Sequence, residues 1–442
     1  MCNGSIMDKL ISFALPLMLS GILQLMFNAV DLVVVGHFSG QEALAAVGST
    51  TALIAVFTNL FIGISLGANV LAARFYAAGR EKEMSETVHT SIMLALISGV
   101  AMAIVGVIFA KGALQLMDTP DNVIDLSTLY MRIYFMGMPF FMLYNYGAAI
   151  LRAVGDTKRP LLFLIISGVS NAILNMILVI VFNLGVAGVA IGTVMSQLMS
   201  CVLVLRCLCK TQSSYQLHFD RLAIKGDYVK LIFQVGIPAG IQSTVINFSN
   251  VLLQSSVNSF GATAMAGYTA ANNLLGFLYV SVNAVTQACM SFTSQNYGVG
   301  KYKRMDRVLL DCLGLTVVVA GVLGGGVYLF GPQILRIYTS EADVISCGME
   351  ILSITTVPYF LCGIMDLFPG SLRGMGYSAV PMVLSVIGTV GTRILWIYGF
   401  FPYNRTLFFL FISYPGSWLI TIVMQVICYL YVRKRCVGVQ KV

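Results

Sequence analysis

Leu151-Arg152-Ala153-Val154-Gly155-Asp156-Thr157-Lys158-Arg159-Pro160 and Leu372-Arg373-Gly374-Met375-Gly376-Tyr377-Ser378-Ala379-Val380-Pro381 carry Arg, Gly and Pro at the same positions, 221 residues apart. The same shift takes Tyr76, Gly79, Arg80, Lys82 and Met84 onto Tyr297, Gly300, Lys301, Lys303 and Met305, and Gly40 onto Gly261. Pro16 meets Pro238 at a shift of 222. Since 221 is half of 442, the chain is one unit written twice, with copies 1–221 and 222–442 joined near the polar stretch from Lys210 to Asp227.

Each copy is a series of long apolar runs. The composition is 58% apolar and 10% charged, with a mean hydropathy of +0.87, which a water-soluble surface does not tolerate. The charges cluster between apolar runs of roughly 20 residues, the length that crosses a hydrocarbon core as a helix. Runs such as Ile92 to Ala110 and Leu161 to Phe182 are apolar all round, which excludes a barrel of short alternating strands. Spans are expected at 10–35, 47–74, 88–110, 128–151, 161–182 and 186–209, and again at 229–256, 267–295, 307–331, 347–371, 380–402 and 406–432. The expected fold is therefore all-α and polytopic, with twelve transmembrane helices in two six-helix lobes. Six spans per copy keep both copies in one orientation, so the lobes should be related by an axis along the membrane normal, with substrate between them.

The first run, Leu10 to Val35, is too long for a cleavable signal and reads as span one. Of the 26 Lys and Arg residues, 21 fall in loops on the side of the termini, which predicts that both termini are cytoplasmic in the cell membrane. That placement also accounts for the net charge of +8 without nucleic acid. The ten cysteines show no metal-ligand spacing and read as small hydrophobes. His37, His89 and His218 lie in loops or at span edges with no nucleophile beside them, so an intramembrane enzyme is disfavoured.

A charge inside the bilayer costs roughly 2.5 to 3.5 kcal/mol on insertion scales and needs a reason. Asp31 lies late in span one in an otherwise apolar stretch, with Gln24 and Asn28 on a neighbouring face. A carboxyl drawn out of water can exchange a proton, or bind Na⁺ when ionised, which is what coupling to an ion gradient requires. Asp366 and Arg393 fall in spans ten and eleven and form either a mutually satisfying pair or a second polar site. The 23 Met and 11% aromatic residues suit an adaptable cavity for flat organic cations, although most of them serve packing.

The motifs together resemble the MATE (multidrug and toxic compound extrusion) family along essentially the whole chain. Asn28-Ala29-Val30-Asp31-Leu32-Val33-Val34-Val35-Gly36, Ala43-Leu44-Ala45-Ala46-Val47-Gly48 and the two Arg-x-x-Gly loops carry the resemblance. Asn171-Ala172-Ile173-Leu174-Asn175, Leu184-Gly185-Val186-Ala187-Gly188-Val189-Ala190 and Thr193 extend it to spans five and six. The resemblance implies a monomeric antiporter that exports organic cations or drugs by alternating access, exchanging them for H⁺ or Na⁺ with no other cofactor. It also implies a cation-coupling site at Asp31, Asn171, Asn175 and Thr193, where Na⁺ is the metal that could bind. Asn175 replaces a second Asp of the family pattern, and Pro238 to Asn247 lacks the acid that some members carry in span seven. One carboxylate instead of two weakens Na⁺ binding and removes like-charge repulsion at Asp31. The runner-up reading is a flippase for lipid-linked saccharide precursors, which would be expected to need a basic cavity where only Arg393 is clearly intramembrane. Ala78 to Glu83 does not supply the loop pattern of the other large twelve-helix drug transporters.

Overall fold

The computed structural model describes residues 1–117 and 119–438, and all the regular structure in them is helical. In chain order the α-helices are α1 (Ile6–Phe38), α2 (Gly40–Ala77), α3 (Glu81–Leu116), α4 (Asp121–Met136), α5 (Met138–Ala153), α6 (Lys158–Met176), α7 (Gly185–Lys210), α8 (Gly226–Asn258) and α9 (Ala262–Gly298). They continue as α10 (Tyr302–Leu329), α11 (Gly331–Leu335), α12 (Ala342–Thr356), α13 (Tyr359–Gly374), α14 (Ala379–Ser385), α15 (Thr392–Leu395), α16 (Leu407–Phe411) and α17 (Ser413–Gly438). Wider π-helical turns occupy Ile177–Val181, Val386–Gly391 and Trp396–Phe400.

Ten helical segments of the described residues are long and apolar enough to cross a bilayer, and α12 with α13 makes an eleventh through a 47° bend. The fourth expected span, 128–151, runs across α4 and α5, each 16 residues long and too short to cross alone. The protein is thus an all-α, multi-pass membrane protein, in accord with twelve helices in two lobes. The two breaks correspond: α4 and α5 meet at Gly137, and α12 and α13 at Val357-Pro358, with Gly137 and Pro358 again 221 apart. Proline ends the ladder in each case, Pro139 standing just inside α5 and Pro358 just before α13.

The backbone repeats with the sequence. Gly40 and Gly261 have φ of 86° and 95°, Gly79 and Gly300 67° and 71°, and Gly155 and Gly376 100° and 95°. Three loops of each copy therefore turn through left-handed conformations that glycine adopts without steric penalty.

By contacts the chain forms two units, one of Leu19–Gly240 and the other of Met1–Met18 with Ile241–Val442. The divisions fall inside α1 and α8, just beyond Pro16 and Pro238, each of which removes one backbone donor from its helix. In the first unit the start of α8 packs on α2 through two glycine pairs, Gly63 and Gly67 against Gly236 and Gly240. A Cβ on Gly63 would overlap the backbone of Gly240, and one on Gly67 the carbonyl of Ile232. Such small-residue spacing lets helix backbones approach closely where no hydrophobic force drives helices together in lipid. In the second unit the start of α1 does the corresponding job: Leu10, Phe13, Ala14 and Leu17 are buried against α9, with the Phe13 and Phe292 rings edge to face at 5.6 Å.

Gly63→Val is expected to push α8 off α2 at a cost of about 1–3 kcal/mol. The expected result is a melting temperature several degrees lower for purified protein in detergent; an unchanged melting curve would show that the close approach is not needed.

Candidate cation site

Asp31, partly buried on α1, accepts a hydrogen bond from Asn175 Nδ2 at 2.6 Å. Asn175 sits four residues after Asn171 on α6, so one helix face presents both carboxamides. Both are buried, at 0% and 5% exposure, so their polar atoms must find partners within the protein. Asn175 Nδ2 also donates to Asn171 Oδ1 at 3.2 Å, and Asn171 Nδ2 donates to Thr193 Oγ1 at 3.4 Å and Ser196 Oγ at 3.5 Å on α7. Thr193 and Ser196 pass their own protons to Val189 O and Thr193 O, which fixes both hydroxyls as acceptors toward Asn171. The four residues expected from sequence are thus assembled into one network, and Ser196 is a fifth member.

Two glycines admit this arrangement. Gly192 on α7 lies directly beneath the Asn175 carboxamide, where any Cβ would overlap Asn175 Oδ1, and Gly168 on α6 takes the ring of Phe27 from α1. Tyr130 and Tyr134 on α4 stand within electrostatic range of Asp31. No Lys or Arg among the described residues lies within 4.0 Å of Asp31, so its negative charge is held by an amide dipole rather than by a cation. Gln24 and Asn28 are exposed. Immediately after the Asn175 turn, α6 widens into the π-helical segment Ile177–Val181, a deformation common at functional sites.

Asn175 Oδ1 is buried and lacks a hydrogen-bond partner among the described residues. Leaving a buried acceptor empty costs about 1–3 kcal/mol, while a bond to a charged group returns about 1.5–3 kcal/mol. This amide orientation suits an ionised Asp31, and the bond from Asn175 Nδ2 to Asn171 Oδ1 also holds it. Once Asp31 is neutral, its carboxyl offers a donor beside its carbonyl acceptor, so turning the Asn175 oxygen toward it gains one bond at the cost of the bond to Asn171 Oδ1. An incoming Na⁺ would demand the same reversal, because it takes oxygen ligands and meets an N–H here.

Asp366 and Arg393, the other intramembrane charges, do not pair with each other. Asp366 lies within electrostatic range of Arg373, two turns on along α13, and Arg373 Nη2 donates to Gln242 Oε1 at 2.6 Å. Arg393 is 3% exposed and is held by Ser249, Asn250 and the ring of Tyr414. Periodicity along α13 and α15 defines a face on each helix but not which neighbour that face meets.

A cavity of about 500 Å³ lies elsewhere, where the start of α3 meets the stretch 213–225. His89, expected at a span edge, is buried there, with Nδ1 against Ser85 O at 2.6 Å and Nε2 accepting from His218 N at 3.1 Å. Glu86 holds Lys225 at 3.1 Å and the Tyr228 hydroxyl at 2.7 Å, so these polar groups tie the linker to α3.

The MatE family's sequence model matches the chain twice, over residues 16–177 and 238–398, one match per copy. The chain belongs to the MatE family. It is 29% identical over 433 residues to the probable multidrug resistance protein YoeA of Bacillus subtilis, covering 96% of this chain and 93% of that one. It is 26% identical to the probable multidrug resistance protein NorM of Thermotoga maritima, covering 88% and 84% respectively. Among solved structures, a MATE bound to MaL6 superposes with a TM-score of 0.91 at 20% identity, over 100% of this chain and 98% of that one. A multidrug resistance MATE family transporter in an outward-facing conformation gives 0.89 at 20% identity, with the same coverage.

Gly192→Ala should drive its new methyl into the Asn175 carboxamide and break the bond to Asp31, costing about 1–3 kcal/mol. In an Asn175→Ala background the same substitution should cost much less. A double-mutant cycle of thermal stabilities that gave simple additivity would remove Gly192 from the site.

Proposed function

We propose that this protein exports organic cations and drugs from the cell by antiport, exchanging them for a coupling cation bound at Asp31 and working by alternating access. The observation that carries the reading is the hydrogen bond from Asn175 to a lone, partly buried carboxylate inside the membrane-spanning part of the chain. Such a group is costly in lipid unless it does something there. The relatives named as multidrug resistance and multidrug export proteins support the direction of transport.

Of the two candidate ions, a proton fits this donor set better. Na⁺ is bound by several oxygens and favours sites with more negative charge. Here one carboxylate is present and an N–H points at it. A proton needs only that carboxylate, and the Asn175 amide suits the neutral form as well as the charged one after a half-turn. Coupling then follows from exclusion: substrate and proton do not hold the site together, so a proton entering from outside releases the exported compound. Our reading is of a monomer in the cell membrane with both termini in the cytoplasm, an orientation that the distribution of Lys and Arg residues supports.

In cells expressing the protein, efflux of a cationic dye such as ethidium should stop when a protonophore collapses the proton gradient and continue when the Na⁺ gradient alone is removed. Asp31→Asn in proteoliposomes should lower gradient-driven efflux by about a hundredfold or more, the loss of an obligatory protonation step. Asp31→Asn transport at the wild-type rate would refute the role of Asp31, and efflux that depends on Na⁺ alone would refute the choice of ion.

A further inference from the structure

Arg393 is a cation buried, at 3% exposure, in the unit formed by Met1–Met18 with the chain from Ile241. Nη1 donates to Ser249 Oγ at 3.1 Å and to Asn250 Oδ1 at 2.9 Å on α8. The guanidinium carbon lies 4.2 Å from the centroid of the Tyr414 ring on α17, and Tyr268 on α9 stands within electrostatic range. All of these partners are neutral. No carboxylate among the described residues lies within 4.0 Å of Arg393, and its Nε is buried without a hydrogen-bond partner.

A guanidinium held over a ring, with a donor left over and no carboxylate in contact, is pre-organised to take a carboxylate or similar anion. Structural arginines in lipid are ordinarily paired, because a buried charge without its opposite is strongly unfavourable. The helix around Arg393 is also irregular, with the short α15 enclosed by the π-helical segments Val386–Gly391 and Trp396–Phe400.

The duplication sharpens the point. A shift of 221 takes Asn171 onto Thr392 and Asn175 onto Trp396, so Arg393 occupies the stretch of its copy that holds the two amides in the first copy. Its partners on α8 answer to α1, since a shift of 222 takes Asn28 onto Asn250 and Asp31 onto Leu253. The same pair of helices thus carries an acid in one copy and a base in the other.

We propose that Arg393, with Ser249, Asn250 and Tyr414, forms a binding site for a single anionic group. The group is either the carboxylate of a transported compound or a small inorganic anion. In the first case it deepens the export reading above, on which that use rests, by adding compounds that carry an anionic group to the substrate class. Binding itself requires neither a gradient nor Asp31.

The chain has two tryptophans, and both flank the site: Trp396 is three residues from Arg393, and the Trp418 ring lies 5.7 Å from that of Tyr414. Tryptophan fluorescence of the purified protein in lipid nanodiscs therefore reads it directly. Titration with sodium benzoate should give a saturable change that its uncharged counterpart benzamide does not, and sodium chloride against sodium gluconate tests the inorganic anion. Arg393→Gln should weaken the responding anion about tenfold or more, the loss of one charge-assisted contact, while Asp31→Asn leaves it unchanged. Arg393→Lys should bind weakly, keeping the charge but not the fork. If Arg393→Gln does not fold, the wild-type melting temperature decides, since it should rise with benzoate or chloride and not with benzamide or gluconate. A response to either anion with these dependences supports the site. Equal responses to benzoate and benzamide with none to chloride, or undiminished anion binding by Arg393→Gln, overturns it. Dye efflux that fails while anion binding persists would count against the export reading alone.

Discussion

The hydrogen bond from Asn175 to Asp31 joins α6 to α1 around a partly buried acid among apolar helices of the Leu19–Gly240 unit. Much of the surrounding structure can be understood as accommodating it. Gly192 clears room beneath the Asn175 amide, Asn171 anchors that amide from one turn away, and Thr193 and Ser196 are committed as acceptors by their own bonds to the α7 backbone. The result is a short, directional chain of donors ending on a carboxylate. Its polarity suits an ionised Asp31, while a neutral carboxyl adds a donor that an amide oxygen can accept. On the proposed coupling, a change of charge at Asp31 would redirect the hydrogen bond that links α6 to α1.

The duplicated scaffold explains how such a site can be supported without a soluble-type core. Left-handed glycines recur in both copies at the same three loops, and breaks recur at Gly137 and Pro358. The first helix of each copy is divided between the two contact units just beyond a proline. The start of α8 lies on α2 through paired glycines, and the start of α1 lies on α9 through Phe13 and its apolar neighbours. The copies share a backbone plan while their polar residues have diverged, leaving Asp31 in one and Arg393 in the other.

Much of this was legible from the residues. The 221-residue shift and the lengths of the apolar runs determined the helical class and most of the spans. The family motifs named Asp31, Asn171, Asn175 and Thr193, which the structure brings together. Ser196 was missed because a serine one turn from Thr193 looks like any small polar residue of a packed helix. The interruption at Gly137 was missed because hydropathy runs unbroken across it; Pro139 was the available signal. The pairing of Asp366 with Arg393 failed for a different reason. Charge complementarity alone does not say which helices are neighbours: Arg373 on the same helix lies within electrostatic range of the acid, and Ser249 and Asn250 on α8 hold the base.

The central claim is that Asp31 changes its charge and that Asn175 turns with it. Infrared difference spectra of the purified protein in lipid, recorded between a low and a high pH, examine both events at once. The account predicts a protonated-carboxyl band appearing at low pH together with a shift of a side-chain amide band. The part of the carboxyl band due to Asp31 and the amide shift should both be missing in Asp31→Asn, and the amide shift alone should be lost in Asn175→Leu. A carboxyl band undiminished in Asp31→Asn, or a carboxyl component lost in Asp31→Asn that appears in the wild-type protein with no accompanying amide shift, would contradict it.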